Sequence, residues 1–169
     1  GIPPKLSTIN ARVETIATAA TYRTPWKRGQ RCILPATGFY EWQVRESGKQ
    51  PWYIHVADQP VFGLAGLWDA SVAADGGVLE SCTIITMPAS PFMAEIHNSK
   101  ARMPAILRRE DHDAWLAGDA AAALDCLQPY PEGQMLAHTV STAVNSPRNN
   151  AARLIEPAAS ARAAMMAAG

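Results

Sequence analysis

Between Cys32 and Met87 the chain alternates short runs of β-branched and aromatic residues with turn signals too brief to hold a crossover. "GFYEWQV" is followed by "RESGKQ" and then by "PWYIHV"; "ADQP" leads into "VFGLAGLW", and "AADGG" precedes "LESCTIITM". Parallel neighbours need a connection of about a dozen residues or more, whereas links this short join antiparallel neighbours. The pattern therefore predicts an antiparallel meander of about four strands. The glycines of "FGLAGLW" predict a close backbone approach or a bend within its strand.

Beyond Met87 the signals turn helical and then mixed. Ser90 and Pro91 read as N-cap and first residue of a brief helix over "PFMAE". Pro104 forbids a long helix in "AEIHNSKARMPAIL", which predicts a loop running into a short strand. "REDHDAWLAG" reads as a helix with acidic residues in its first turn and Gly118 as its stop. Asp119 caps a second helix over "AAALDCL", and "MLAHTVST" returns to strand character. The class is α+β: a strand-rich, meander or barrel-like sheet with a few short flanking helices, expected as one domain over residues 1–157. The Ala-rich end "PAASARAAMMAAG" lacks a clear core face and reads as a frayed or loosely docked tail over 158–169.

Composition narrows the classes of function. With 169 residues, 48% of them hydrophobic and 18% charged, the chain can bury a globular core. No run of about 18 apolar residues suggests a membrane span, and no basic-then-apolar leader suggests secretion, so a cytoplasmic protein is expected. Cys32, Cys82 and Cys126 are widely spaced and form no Cys-x-x-Cys pair, which predicts buried free thiols rather than a zinc or redox centre; no metal and no cofactor are expected. Lys5, Arg12, Arg23, Lys27, Arg28 and Arg31 stand against Glu14 alone in the first 32 residues, although the whole chain is neutral. This asymmetry suits either a basic surface for a polyanion or a solvated flank.

Three groups of residues carry chemical interest. In "GFYEWQV" alternation puts Tyr40 and Trp42 on one face and Phe39, Glu41 and Gln43 on the other. A glutamate on a partly buried face must be paired, protonated or catalytic, and burial raises its pKa toward the range where it both gives and takes a proton; an edge strand pointing Glu41 to water is the other reading. His97 lies in a loop just after the strand "CTIITM", where Lys100 and Arg102 favour neutral imidazole suited to taking a proton. His55, His112 and His138 rank lower, being placed in a strand, on an exposed helix and near a strand end. In "TINARVET", Asn10 and Arg12 alternate and point the same way, offering an amide and a planar fork for phosphate or carboxylate, or simply strand-edge polarity.

Taken in order, "INARVET", "RCILPATGFYEW", "FGLAGLWD", "TIITMPAS", "IHNSKARMPAIL", "HTVSTAVNSPRNN" and "LIEP" resemble the SOS response-associated peptidase family, from about Ile9 to Pro157. The resemblance implies an SOS-response protein that senses abasic sites in single-stranded DNA and becomes covalently attached to them. The implied nucleophile is a cysteine at the mature N-terminus: its α-amine condenses with the ring-opened sugar aldehyde and its thiol closes a thiazolidine. The family name adds a peptidase activity, best read as self-processing of that N-terminus. By motif, Glu41 is implied as an acid/base group beside the amine, and His97 as the residue that handles protons at the sugar and the Schiff base. Asn10 and Arg12 are implied to position the abasic nucleotide and its phosphate, Asn10 also acting in catalysis, with Thr86 and Arg102 as further DNA contacts. A monomer that associates with the nucleoid when bound to DNA is implied as well. The chain opens "GIPPKLSTINAR" rather than on such a cysteine, so the nucleophile is expected in a segment preceding this one, and Gly1 offers an amine without a thiol. "IHNSKARMP" is also longer than the shortest family loop. Two other readings of the residues stay open: a noncovalent single-stranded DNA-binding module, and a peptidase acting in trans, for which no Ser or Cys stands beside a base.

Overall fold

The computed structural model describes residues 8–159; Gly1 and nearly all of the Ala-rich tail lie outside the described residues. In chain order the elements are β1 (Asn10–Arg12), α1 (Arg23–Lys27), β2 (Arg31–Ala36), β3 (Phe39–Arg45), β4 (Gly48–Val56), β5 (Phe62–Val72) and β6 (Val78–Pro88). There follow α2 (Pro91–Ile96), β7 (Arg102–Pro104), β8 (Ile106–Leu107), α3 (His112–Ala117), α4 (Ala120–Asp125) and β9 (Met135–Thr139), with single turns of 3-10 helix between and after them. This is the strand-rich α+β class that the residue pattern predicts. Three predicted caps form where the sequence puts them. Ser90 accepts from the Met93 N–H at 3.3 Å, Asp119 accepts from the Ala122 N–H at 2.9 Å, and Gly118 ends α3.

The chain divides into two compact units. The first takes the residues up to Ala36, Phe62–Pro88 and Met103–Tyr130. Its sheet runs β1-β6-β5-β2, with β7 also paired to β6 and β8 to β5. β5 lies inside this sheet, and its stretch from Phe62 to Leu67 is buried on both faces. Such a strand reads as a continuous apolar run, and small residues let its neighbours close in. A Cβ on Gly66 would sit 2.9 Å from the Thr83 carbonyl oxygen and 3.0 Å from Cys32 Sγ. Gly66 is thus the close approach that "FGLAGLW" predicts.

The second unit takes Thr37–Val61, Ala89–Arg102 and the residues from Pro131 on. Its sheet is antiparallel, in the order β3-β4-β9, with Tyr40 opposite Tyr53 and Tyr53 opposite His138. The β3–β4 turn closes at Gly48, whose φ of +114° suits only glycine. Ile54, Val56, Met93, Ile96, Met135 and Val140 are buried in this unit.

Both predicted hairpins form, β3 with β4 and β5 with β6, but they belong to different sheets, so the four strands are not one meander. β5 instead pairs with β2, from Arg31 opposite Leu67 to Ala36 opposite Phe62, and β1 runs parallel to β6. The connection from Val56 to Phe62 changes sheets, and a short link does not reveal that choice. The three cysteines are free, as expected, but only Cys126 is buried; Cys32 is half-buried and Cys82 exposed.

Arg31 is buried, and among the described residues its side-chain hydrogen bonds go to carbonyls rather than to a carboxylate. Its Nε donates to the Trp115 carbonyl and its Nη2 to the Gly118 carbonyl, at the end of α3. The guanidinium lies over the Trp26 ring at 5.9 Å and the Trp115 ring at 5.8 Å. The charge therefore satisfies carbonyls that a helix end leaves open, and two indole faces shield it. Arg31→Met is expected to cost about 3 kcal/mol of unfolding free energy in a urea titration; a loss below about 0.5 kcal/mol would show these contacts to be dispensable.

Candidate active site

Glu41 sits in the middle of β3, opposite Trp52 of β4. Strand alternation sends it to the same face as Phe39 and Gln43, as the sequence predicts. His97 is the residue at which α2 ends, and its N–H donates to the Met93 carbonyl at 2.8 Å. α2 packs against β3. This brings the two side chains together: His97 Nδ1 is 3.4 Å from Glu41 Oε2, with the histidine side chain 17% and the glutamate 20% exposed.

The histidine's working tautomer follows from its second partner. Nδ1 is also 2.8 Å from the Arg102 carbonyl oxygen. A carbonyl only accepts, so Nδ1 carries the hydrogen in the neutral ring and Nε2 keeps the free lone pair. Ala101 makes this return possible. Its φ of 48° is left-handed, and it is tied at both ends, with its N–H donating to the His97 carbonyl at 2.8 Å and its carbonyl accepting from Ala89 at 2.9 Å. A residue with a Cβ holds such a conformation only where its surroundings dictate it.

Burial pushes the Glu41 pKa up from the usual carboxylate range, and this outweighs the opposing pull of His97, the Trp42 backbone N–H and Lys100. A shielded carboxyl raised in this way serves as a proton donor nearer neutrality than an exposed one.

Two polar side chains that the sequence did not single out fasten the loop to the strand. Asn98 Oδ1 accepts from the Val44 N–H at 2.9 Å, and its Nδ2 donates to the Val44 carbonyl at 2.9 Å. Gln43 Nε2 donates to the Glu95 carbonyl at 2.8 Å, while its Oε1 accepts from Arg45 Nε at 2.7 Å and from Trp52 Nε1 at 3.2 Å. Position offered the only signal: Gln43 shares a face with Glu41, and Asn98 follows His97.

In the first unit, Asn10 and Arg12 both point outward from β1, with Ala11 fully buried between them. Arg12 lies opposite Thr86 of β6. The Thr86 hydroxyl donates to the Ala11 carbonyl at 3.3 Å, and Tyr22 donates to the Asn10 carbonyl at 3.1 Å, so β1 is held from both sides. Arg102, half-buried in the second unit, offers His97 its backbone carbonyl.

The remaining histidines have packing roles. The rings of His55 and His138 lie 5.8 and 5.7 Å from that of Tyr53, and His138 Nε2 is 2.8 Å from the Ile155 carbonyl oxygen. His112 is half-buried rather than on an exposed helix face, with its Nε2 close to Gly63. Trp42 is likewise tied down, its indole N–H donating to Asn145 Oδ1 at 2.7 Å. Among the described residues, no group of three or more His, Cys, Asp or Glu is arranged to hold a metal ion, and no helix is long and apolar enough to cross a membrane.

The raised Glu41 pKa fixes the sign of a stability effect. The folded protein holds this proton to higher pH than the unfolded chain, so stability falls as pH rises from about 4.3 through the folded value. Glu41→Gln is therefore expected to match or exceed the parent's stability at pH 7, with the difference vanishing below about pH 4. Urea denaturation at the two pH values measures it. A Glu41→Gln protein that is less stable only at neutral pH would mean that the carboxylate is favoured in the fold.

Residues 3–147 match the family model for SOS response associated peptidase (SRAP). The abasic site processing protein YoqW of Bacillus subtilis (strain 168) is 40% identical over 152 residues, covering 88% of this chain and 66% of that protein. YedK of Escherichia coli (strain K12), also called an abasic site processing protein, is 34% identical over 154 residues, covering 88% of this chain and 67% of its own. A crystal structure of a Bacteroides thetaiotaomicron protein superposes with a TM-score of 0.83 at 33% identity, covering 89% of this chain and 66% of that one. The chain thus spans just under two thirds of the length of the first of these relatives. It belongs to the SOS response associated peptidase family.

Proposed function

We propose that this chain processes abasic sites in single-stranded DNA, with Glu41 and His97 as its acid/base pair. The observation that carries the reading is the contact of a shielded, pKa-raised carboxyl with a histidine whose Nε2 is free to exchange protons. The relatives' names, abasic site processing proteins, support the choice of substrate.

Condensation of an amine with the ring-opened sugar aldehyde needs these groups. The amine nitrogen bonds to the aldehyde carbon, and the carbinolamine then loses its hydroxyl as water, which requires a proton donor. Glu41, protonated to higher pH than an exposed carboxyl, supplies that proton and leaves a carboxylate to take one up again. His97 accepts and returns protons at the sugar through Nε2. A thiol then adds across the C=N bond, sulfur to carbon and hydrogen to nitrogen, closing a thiazolidine with water as the only product released. In this proposal the amine and thiol come from an N-terminal cysteine, and Cys32, Cys82 and Cys126 are not assigned that part. Self-processing would expose that cysteine. Asn10 and Arg12 would hold the abasic nucleotide and its phosphate, with Thr86 and Arg102 as further DNA contacts.

Single-turnover adduct formation with an abasic oligonucleotide, using protein that carries the N-terminal cysteine, tests the proposal. Glu41→Gln is expected to slow it by about 100-fold or more, and His97→Ala by a similar factor with DNA affinity nearly unchanged. Unchanged kinetics in Glu41→Gln would remove Glu41 from the site, and a large affinity loss in His97→Ala would make His97 a binding residue. Arg12→Ala should lower the slope of log affinity against log salt by about 0.7, the loss of one phosphate contact on a single strand. An unaltered slope would exclude Arg12 from the DNA backbone.

A further inference from the structure

We propose that Asn98 is a positioning residue, which holds His97 against Glu41 by pairing its side-chain amide with the backbone of Val44. The inference rests on the reading of Glu41 and His97 as the acid/base pair and concerns what keeps them in reach of one another.

Among the described residues β3 is an edge strand of its sheet, so its outward N–H and C=O groups have no strand beside them. Asn98 meets both such groups of one residue: it accepts from the Val44 N–H and donates to the Val44 carbonyl, each at 2.9 Å. The amide thereby copies the two-bond exchange of an antiparallel pair. Neither bond needs any other part of the loop, and each fixes the orientation of the amide through the other.

The pairing has geometric consequences because of its place in the chain. Asn98 follows His97, and Val44 lies three residues beyond Glu41. A second tie stands one residue back in the strand, where Gln43 donates to the Glu95 carbonyl at 2.8 Å. Gln43 is itself oriented by Arg45 and Trp52, whose donors hold its oxygen. Strand and loop are therefore joined on both sides of His97 in sequence, at Glu95 and at Asn98. With those ties made, the backbones that carry His97 and Glu41 are held in register, and the two side chains meet at 3.4 Å. Without the Asn98 tie, the segment from His97 to Ala101 keeps its own turn bonds but loses its register on β3. Displacements of about 1 Å in a reacting group cost about 100-fold in rate. Asn98 is exposed, so replacing it leaves the core untouched.

Burial raises the Glu41 pKa, and His97, the Trp42 N–H and Lys100 each pull against it. Withdrawal of His97 removes one of the groups that pull the carboxyl down. The test is an NMR titration of the Glu41 side-chain carboxyl and the His97 ring nitrogens in the protein without DNA, for the parent and for Asn98→Ala, combined with single-turnover adduct formation. Asn98→Ala is expected to shift the Glu41 midpoint and to disturb the Nδ1–H signal of His97, with the amide spectrum otherwise intact. It should slow adduct formation 10-fold or more without weakening DNA binding. Asn98→Gln, one methylene longer with the same amide, should recover part of both effects. Should Asn98→Ala fail to fold, Asn98→Ser, which cannot span both Val44 groups, carries the same expectation. An unchanged Glu41 midpoint and His97 signal in a folded variant would overturn the proposal. If the parent forms no adduct while Asn98→Ala still shifts both resonances, the positioning role stands and the abasic-site reading fails.

Discussion

A carboxyl group shielded from water beside a histidine is the constraint around which the second unit is arranged. Glu41 is surrounded in sequence by aromatic residues that make its strand, with Tyr40 and Trp42 on the opposite face, and its own side chain is shielded to 20% exposure. That shielding raises its pKa, and His97, Lys100 and one backbone N–H offset only part of the rise. An unpartnered buried carboxylate would cost the fold several kcal/mol. A carboxyl that stays protonated to higher pH avoids much of that cost and becomes a proton donor by the same physics. The Nδ1 of His97, held by the Arg102 carbonyl, leaves Nε2 as the nitrogen available for proton exchange.

The loop between His97 and Arg102 shows how such a contact is maintained by ordinary parts. A short capped helix delivers His97, a left-handed Ala101 turns the chain back, and the Arg102 carbonyl receives the ring hydrogen. Each step is a local hydrogen bond of the kind that stabilises a protein by about 1 kcal/mol. Their combined effect is positional rather than energetic. Asn98 completes it by meeting the Val44 backbone groups at the exposed edge of β3, and Gln43 by donating to the Glu95 carbonyl.

Much of this was legible in the sequence where the signal is local. Ser90 and Asp119 cap their helices because a short polar side chain can reach an N–H two or three residues on, and Gly118 ends α3 as expected. The alternation in "GFYEWQV" placed Glu41 and Gln43 on one face, and "NAR" placed Asn10 and Arg12 outward around a buried Ala11. What the sequence did not show is pairing between distant segments. Nothing in "ADQP" tells whether the chain returns along β4 or departs to another sheet, and no local pattern announces that β1 lies parallel to β6. The Val44 partner of Asn98 was hidden for the same reason: an asparagine after a histidine in a loop has many possible uses, and only the fold selects one. The role proposed for the site rests on collinear motifs, since Glu41 alone also fits an edge strand that points it to water.

The central claim is that shielding makes Glu41 the proton donor for chemistry at an abasic sugar. The most direct test is the pH–rate profile of single-turnover adduct formation with an abasic single-stranded oligonucleotide, measured for the parent and for Glu41→Gln. The account predicts a limb in the parent profile with its midpoint above the ordinary carboxylate range of about 4.3, and the loss of that limb in Glu41→Gln. A limb that persists unchanged in Glu41→Gln would contradict the claim and assign the titration to another group.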